Sequence, residues 1–174
     1  KLKAMREKIQ NKFNIVPIKE FGRNYAEFYH DGVGAVKKLL AERQGQVAGA
    51  FHKEGLGDID LVWGDEKIGL NKILAKHESD FKEFGGVGAG LEKIIKDGET
   101  VENAGVKTIL LKNGEKSYRL GLSKGWQGKG DNDWIITAYE YKPSHSDVFR
   151  PSNDLAQDGT DLLAKGYKGG AKSI

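Results

Sequence analysis

The cleanest alternation of apolar and polar positions runs from Thr108 to Tyr141 and predicts an antiparallel sheet. Thr108–Lys112 and Glu115–Ser123 are joined by Asn113-Gly114, the strongest short-range hairpin signal. A type I′ turn on those two residues sets Lys112 opposite Glu115, Leu110 opposite Ser117 and Thr108 opposite Arg119. One face then carries Ile109, Leu111, Tyr118, Leu120 and Leu122. The other carries Thr108, Leu110, Lys112, Ser117, Arg119, Gly121 and Ser123. A polar, glycine-rich loop is expected over Ser123–Asp133, then a last strand over Trp134–Tyr141. In that strand Ile135, Thr137, Tyr139 and Tyr141 share one face. Trp134, Ile136, Ala138 and Glu140 share the other, with the first three turned to the core.

Upstream the period changes to that of helices. Leu2, Met5, Ile9 and Phe13 make a stripe over Lys1–Phe13, and an extended connector with Pro17 follows. Tyr25–Gln44 is the longest helical pattern, although Gly32 and Gly34 weaken its first half. Gln46–Phe51 and Asp58–Trp63 read as strands. Gly69–Phe84 reads as a helix with Leu70, Ile73, Leu74, His77, Phe81 and Phe84 on one side. A glycine-rich turn, Gly85–Gly90, leads to a short helix, Leu91–Lys96, closed by Gly98 as a C′ residue. The pattern predicts an α+β protein: N-terminal helices, then a twisted antiparallel sheet of about four strands. The expected organisation is an N-terminal helical arm (1–44), a main domain (45–142) and a flexible C-terminal tail (143–174).

Composition narrows the classes. A chain of 174 residues, 38% hydrophobic and 30% charged, suits one soluble domain with an arm or tail. No window approaches the roughly 18 apolar residues of a membrane span, so no membrane association is expected. The absence of cysteine excludes disulfides, thiolate metal sites and cysteine nucleophiles. With Lys1 first and Met5 the only methionine, the chain reads as part of a longer polypeptide. Net charge is only +3, yet residues 107–129 hold six Lys/Arg against Glu115 alone. That concentration fits phosphate binding, and solvated lysines on an ordinary hairpin fit it too.

Candidate chemistry follows from the faces. His77 lies on an apolar stripe, either as a core histidine or as one emerging at the sheet edge, where imidazole is the usual proton-transfer group. Arg119 sits mid-strand among small neighbours, either paired with a surface carboxylate or open to bidentate phosphate contact. Thr137 and Tyr139 join Arg119 on the open face, and Thr137 is equally an ordinary strand former. Lys112, Lys124, Trp126 and Lys129 are the candidate RNA contacts, with Trp126 as a stacking platform. The run Gly85–Gly90 lacks the Gly-Lys-Ser/Thr ending of a phosphate loop. Asp58 and Asp60 share a face, but with Asp65 they find no completing histidine or carboxylate pattern, so no metal site and no cofactor is expected.

Gly57–Gly64 (GDIDLVWG), Gly69–His77 (GLNKILAKH), Tyr118-Arg119-Leu120 and Trp134–Glu140 (WIITAYE) resemble, in order and type, the phage-borne branch of the barnase–EndoU–colicin–RelE nuclease superfamily. The resemblance spans residues 45–141. It implies a helical segment leading into a twisted antiparallel sheet whose open face binds RNA, and a metal-independent endoribonuclease. On this chain it implies His77, Arg119 and Thr137 as the catalytic site, with Lys72 or Tyr139 supplying the remaining role. Related chains often carry a histidine where Lys72 stands, so a two-histidine acid–base mechanism is not open to this chain. The implied reaction is attack by the ribose 2′-hydroxyl, leaving a 2′,3′-cyclic phosphate. The implied partners are single-stranded RNA or tRNA and an immunity or antitoxin protein. The implied setting is a toxin or phage effector acting in the cytoplasm after delivery from a larger secreted or phage protein. The alternative is an inactive RNA- or protein-binding module within a phage structural or polyvalent protein.

Overall fold

A computed structural model of the protein describes residues 2–142. The tail expected over 143–174 lies outside the described residues. Helices α1 (Leu2–Asn14) and α2 (Gly32–Glu42) precede strands β1 (Gln46–Lys53) and β2 (Gly57–Val62). Helix α3 (Gly69–His77) runs into a 3₁₀ segment, Glu78–Phe84, and α4 (Val87–Asp97) follows. Strands β3 (Glu99–Asn103), β4 (Val106–Asn113), β5 (Lys116–Trp126) and β6 (Lys129–Tyr141) complete the order. The class is α+β, helices first, as the pattern predicts. No helix among the described residues is long and apolar enough to cross a membrane.

The sheet has six strands in the order β1-β2-β6-β5-β4-β3, rather than about four. It is also mixed. β2 runs parallel to β6, with Ile59 beside Asp133 and Asp60 beside Trp134, while the other pairs are antiparallel. β3 escaped the sequence pattern because every one of its residues is exposed, so no apolar face marks it. Hydrogen bonding to β4 makes it a strand. The loop expected over Ser123–Asp133 is instead the extended tip of the β5–β6 hairpin, closed by Gln127-Gly128. Gln127 and Gly128 have φ of 53° and 80°, and Ala104 and Gly105 have 53° and 82°. These two pairs adopt the double positive φ of a type I′ turn.

Asn113-Gly114 does not. Asn113 pairs with Lys116, Leu110 with Arg119 and Thr108 with Gly121, so the register differs from expectation by one pair and the turn residues are Gly114 and Glu115. Of these only Gly114, at φ 68°, is left-handed, as suits a turn with glycine at its first central position. Asn113 is drawn into the ladder, where its side-chain amide donates to Glu83 Oε2 at 3.1 Å. Tyr118 donates its hydroxyl to the same carboxylate oxygen, and burial together with that acceptor pushes the phenol above its ordinary range. A shift of this kind preserves parity, so the predicted faces of the hairpin survive the change of partners.

Helix boundaries moved for identifiable reasons. The helix expected from Tyr25 starts at Gly32, because His30 is left-handed (φ 58°) and Asp31 caps the helix, accepting from Gly34 N–H at 3.0 Å. The helix expected from Leu91 starts at Val87, taking in much of the glycine-rich run, and Gly98 ends it in extended backbone at φ −78°. α3 ends at His77, with 3₁₀ turns in place of the last helical turns.

The main core joins Val36 and Leu39 of α2, Leu91 and Ile94 of α4 and Leu70 and Ile73 of α3 to Ile59, Leu61, Tyr118, Leu120 and Ile135 of the sheet. A second cluster, Ile18, Val62, Ile68, Trp134 and Ile136, has Phe21 and Trp126 packed against it. α1 buries nothing. Between the sheet's two halves sits Asp60, 1% exposed. Its Oδ1 accepts Gly49 N–H and its Oδ2 accepts Asn132 Nδ2, both at 2.8 Å, and burial pushes its carboxyl up to about 6. Asp60→Ala strands the buried Gly49 N–H, while Asn132 keeps its bond to the Val16 carbonyl at 2.9 Å, and is expected to destabilise the fold by about 1–3 kcal/mol in urea unfolding. A change within a few tenths would show that the carboxylate's burial offsets its bonds.

Candidate functional site

Strands β6, β5 and β4 lie side by side and present three successive cross-strand rows: Tyr141-Ser117-Lys112, Tyr139-Arg119-Leu110 and Thr137-Gly121-Thr108. Arg119 is therefore at the centre, between Tyr139 on β6 and Leu110 on β4. Opposite and diagonal neighbours on one face are close enough for long and aromatic side chains to meet. Arg119 Nη1 donates to the Tyr139 hydroxyl at 3.4 Å, and its guanidinium lies 4.8 Å from the centre of the Tyr141 ring.

Just ahead of Thr137 lies an irregularity that the alternating pattern does not show. Gly121 pairs with Thr137 but Leu122 pairs with Ile135, so Ile136 is an extra residue in β6. The bulge splits the expected core set: Ala138 joins Ile135 in the main core, while Trp134 and Ile136 belong to the second cluster. Thr137 and Tyr139 stay on the Arg119 side, as expected. Thr137 is fully buried, and its Oγ1 and that of Thr108 have no hydrogen-bond partner among the described residues. Gly121, between them, carries no side chain.

His77 arrives from α3, which packs on β6. Its ring stacks on Tyr139 with centroids 5.2 Å apart and planes 29° apart. Its side chain is 22% exposed, neither sealed in the core nor fully in solvent. His77 Nδ1 lies 3.5 Å from Asp80 Oδ2, which also accepts the Glu140 N–H at 3.0 Å. Asp80 thus anchors the histidine's segment to β6. Three residues past His77 in a stretch expected to be helical, it was available to a sequence argument and was missed. So was Tyr141, which shared the predicted face of Tyr139.

The remaining sequence candidates differ in burial and position. Lys72 is 1% exposed on α3, five residues before His77 and so about 140° around the helix from it. Arg119, expected on an open face, is itself 1% exposed, covered in part by the Tyr139 and Tyr141 contacts. Lys112 is exposed at the end of the Tyr141 row. Lys124 and Lys129 are exposed near the β5–β6 hairpin tip, and Trp126 lies seven residues along β5 from Arg119, roughly 23 Å. Trp126 is half-buried rather than open: its ring meets Phe21 edge-on at 5.1 Å and tilts against Trp134 at 6.2 Å. Asp65 accepts from Lys67 and Ile68 N–H groups at 2.7 and 3.1 Å and serves a turn. Chemically, the assembled strip offers an imidazole beside a carboxylate, a phenol and a guanidinium in continuous contact.

Among known proteins, a family model described as phage-Barnase-EndoU-ColicinE5/D-RelE like nuclease 1 matches residues 50–145. No curated protein matches the chain. The match takes in α3, β5 and β6, the elements that supply His77, Arg119, Thr137 and Tyr139. Covering more than half of the 174 residues, it places this chain in the phage barnase–EndoU–colicin E5/D–RelE-like nuclease family.

Proposed function

We propose that this domain is an endoribonuclease in which a ribose 2′-hydroxyl attacks the adjacent phosphate. The observation that supports it is the unbroken strip His77–Tyr139–Arg119–Tyr141 across α3, β6 and β5. The O2′–P bond forms as the P–O5′ bond breaks, leaving a 2′,3′-cyclic phosphate and a 5′-hydroxyl. This step needs a base for the 2′-hydroxyl proton, an acid for O5′ and cationic cover for the phosphorane. His77 exchanges the proton, its ring oriented by Asp80. Arg119 grips two phosphate oxygens through its planar fork. Thr137 donates its hydroxyl hydrogen to the phosphate. Tyr139 takes the second proton role in preference to Lys72, because it touches both His77 and Arg119. The positive charge in this step is a guanidinium, so the step draws on no metal ion.

Single-stranded RNA or tRNA is the substrate class. Lys112 lies nearest the strip, and the Lys124–Trp126–Lys129 tip holds chain farther along. Carried in a longer phage or secreted polypeptide, such an activity makes a toxin, with an immunity protein as its natural partner. A second reading, an inactive binding module, draws on burial: Arg119 and Lys72 are 1% exposed and Thr137 is 0%. A phosphate reaches a guanidinium this buried only when the side chains over it move. Incubating the domain with total RNA in EDTA and mapping 5′-hydroxyl ends separates the two. New ends carry the first; RNA binding without new ends carries the second.

His77→Ala is expected to lower the cleavage rate by about 10²- to 10⁴-fold with an unchanged circular dichroism spectrum. A folded variant cutting at the wild-type rate would remove His77 from the mechanism. Arg119→Lys keeps the charge but loses the fork, and a loss of about 100-fold or more in turnover is expected. Near-normal steady-state rates would reduce Arg119 to a structural cation. RNA affinity is expected to fall steeply with salt, and replacing Lys124 and Lys129 together by Gln should flatten the log–log slope by about 1.4. An unaltered slope in filter-binding titrations would place the RNA away from the hairpin tip.

A further inference from the structure

The corner where β1 meets the segment ahead of α2 gathers a second set of reactive side chains. Tyr29 and His30 precede α2, and Asp58 faces His52 across the β1–β2 pair. Asp58 is the hub. Its Oδ1 lies 2.8 Å from His30 Nε2 and 2.8 Å from His52 Nδ1. Its Oδ2 accepts the Tyr29 hydroxyl at 2.6 Å. The two imidazole centroids are 5.3 Å apart, and the His30 ring stacks on Tyr29 at 3.9 Å. One donor atom from each of His30, His52 and Asp58 falls within 4.8 Å of the others.

The backbone is bent to achieve this. His30 is left-handed at φ 58°, a region in which non-glycine residues are uncommon and which recurs at ligand clamps. A turn alone would be served better by glycine or asparagine; histidine there delivers an imidazole to Asp58. Its N–H is tied to the Gly49 carbonyl at 2.8 Å. Gly49 is required by close approach, because a Cβ there would come within 2.4 Å of the Tyr29 ring.

We propose that His30, His52 and Asp58 form a binding site for a late first-row divalent metal ion, zinc above all, separate from the strip on β5 and β6. Two imidazole nitrogens and a carboxylate oxygen are a three-ligand set that zinc takes with its fourth position left to solvent or a ligand. Tyr29 supplies the outer hydrogen bond that fixes a ligating carboxylate. Metal–ligand bonds of about 2.0–2.2 Å in a tetrahedron put neighbouring ligand atoms about 3.3 Å apart, so as the ion enters each imidazole recedes from Asp58 by about 0.5 Å and the two imidazole nitrogens, within 4.8 Å of one another, swing to that spacing. The His52 side chain, 52% exposed, has room for that rotation. The hydrogens that the imidazoles share with Asp58 are what the ion replaces. Both histidines line a cleft of about 860 Å³ with Phe51, Lys53, Glu92 and Lys93, which gives an ion an entry path.

The test uses the whole chain, stripped with a chelator and dialysed. Zn²⁺ is titrated against a chromophoric chelator, and Co²⁺ is followed by its visible absorption. One ion per chain is expected, with an intense low-coordinate Co²⁺ spectrum. Both signals are expected to vanish in the His30→Ala/His52→Ala double variant, and the affinity to weaken about 10- to 100-fold in Tyr29→Phe. His52→Gln keeps the result readable should the double variant unfold: it is expected to lose the ion while its melting temperature without metal stays at the wild-type value. Failure of the wild-type chain to take up Zn²⁺, or undiminished uptake by either folded histidine variant, would overturn the site and leave Asp58 as a hydrogen-bond hub. RNA cleavage by the folded variants is expected to be unchanged. Its loss there would overturn the separation of the two sites.

Discussion

One extra residue in β6 decides what faces what. Because Ile136 is unpaired between Gly121 and Leu122, two successive residues, Ile136 and Thr137, avoid the main core. Ahead of the bulge, Trp134 anchors the second cluster, its indole N–H donating to the Gly125 carbonyl at 2.8 Å. Beyond it, Ala138 returns to the main core, while Tyr139 and Tyr141 flank Arg119. A strand without the bulge would have to give up either the Trp134 anchor or the aromatic flank of the arginine, since period-2 alternation cannot provide both.

β6 is also where the sheet's two halves join. It pairs with β5 along most of its length but with β2 at only Ile59–Asp133 and Asp60–Trp134. α3 and its 3₁₀ continuation pack against the remainder, and Asp80 accepts the Glu140 N–H that no strand takes. The seam thereby brings His77 to Tyr139. A hydrogen bond that satisfies this stretch of β6 and the contacts that assemble the candidate site come from the same segment, so the position of the histidine is tied to the strand edge.

Two clusters of titratable groups sit on adjacent strand pairs, one at the centre of the strand order and one at its β1 end. One is built on β5 and β6 around a cation, the other on β1 and β2 around a carboxylate. The difference sets the chemistry each suits. A guanidinium between two tyrosines attracts phosphate, whereas a carboxylate receiving two imidazoles and a phenol attracts a cation. Within a family of nucleases the first is the cluster on which the proposed reaction rests, and the second the one on which the proposed metal site rests.

Much of the architecture was legible in the chain. A short apolar run marked β1, period-2 alternation marked β2, the β4–β5 hairpin and β6, and the helical stripes marked α1, α3 and the second half of α2, because each buries or aligns an apolar face. The same alternation placed Arg119, Thr137 and Tyr139 on one side, and the apolar stripe of α3 carried His77. Tertiary structure alone decided the rest. β3 exists through pairing without burial, and Asn113 left its turn for Glu83, a residue thirty positions away. The bulge at Ile136 arose where two cores compete for one strand. The corner of His30, His52 and Asp58 was invisible for a related reason. Its members come from an irregular turn, a strand end and the facing strand, so no period in the sequence relates them and only the folded backbone brings them together.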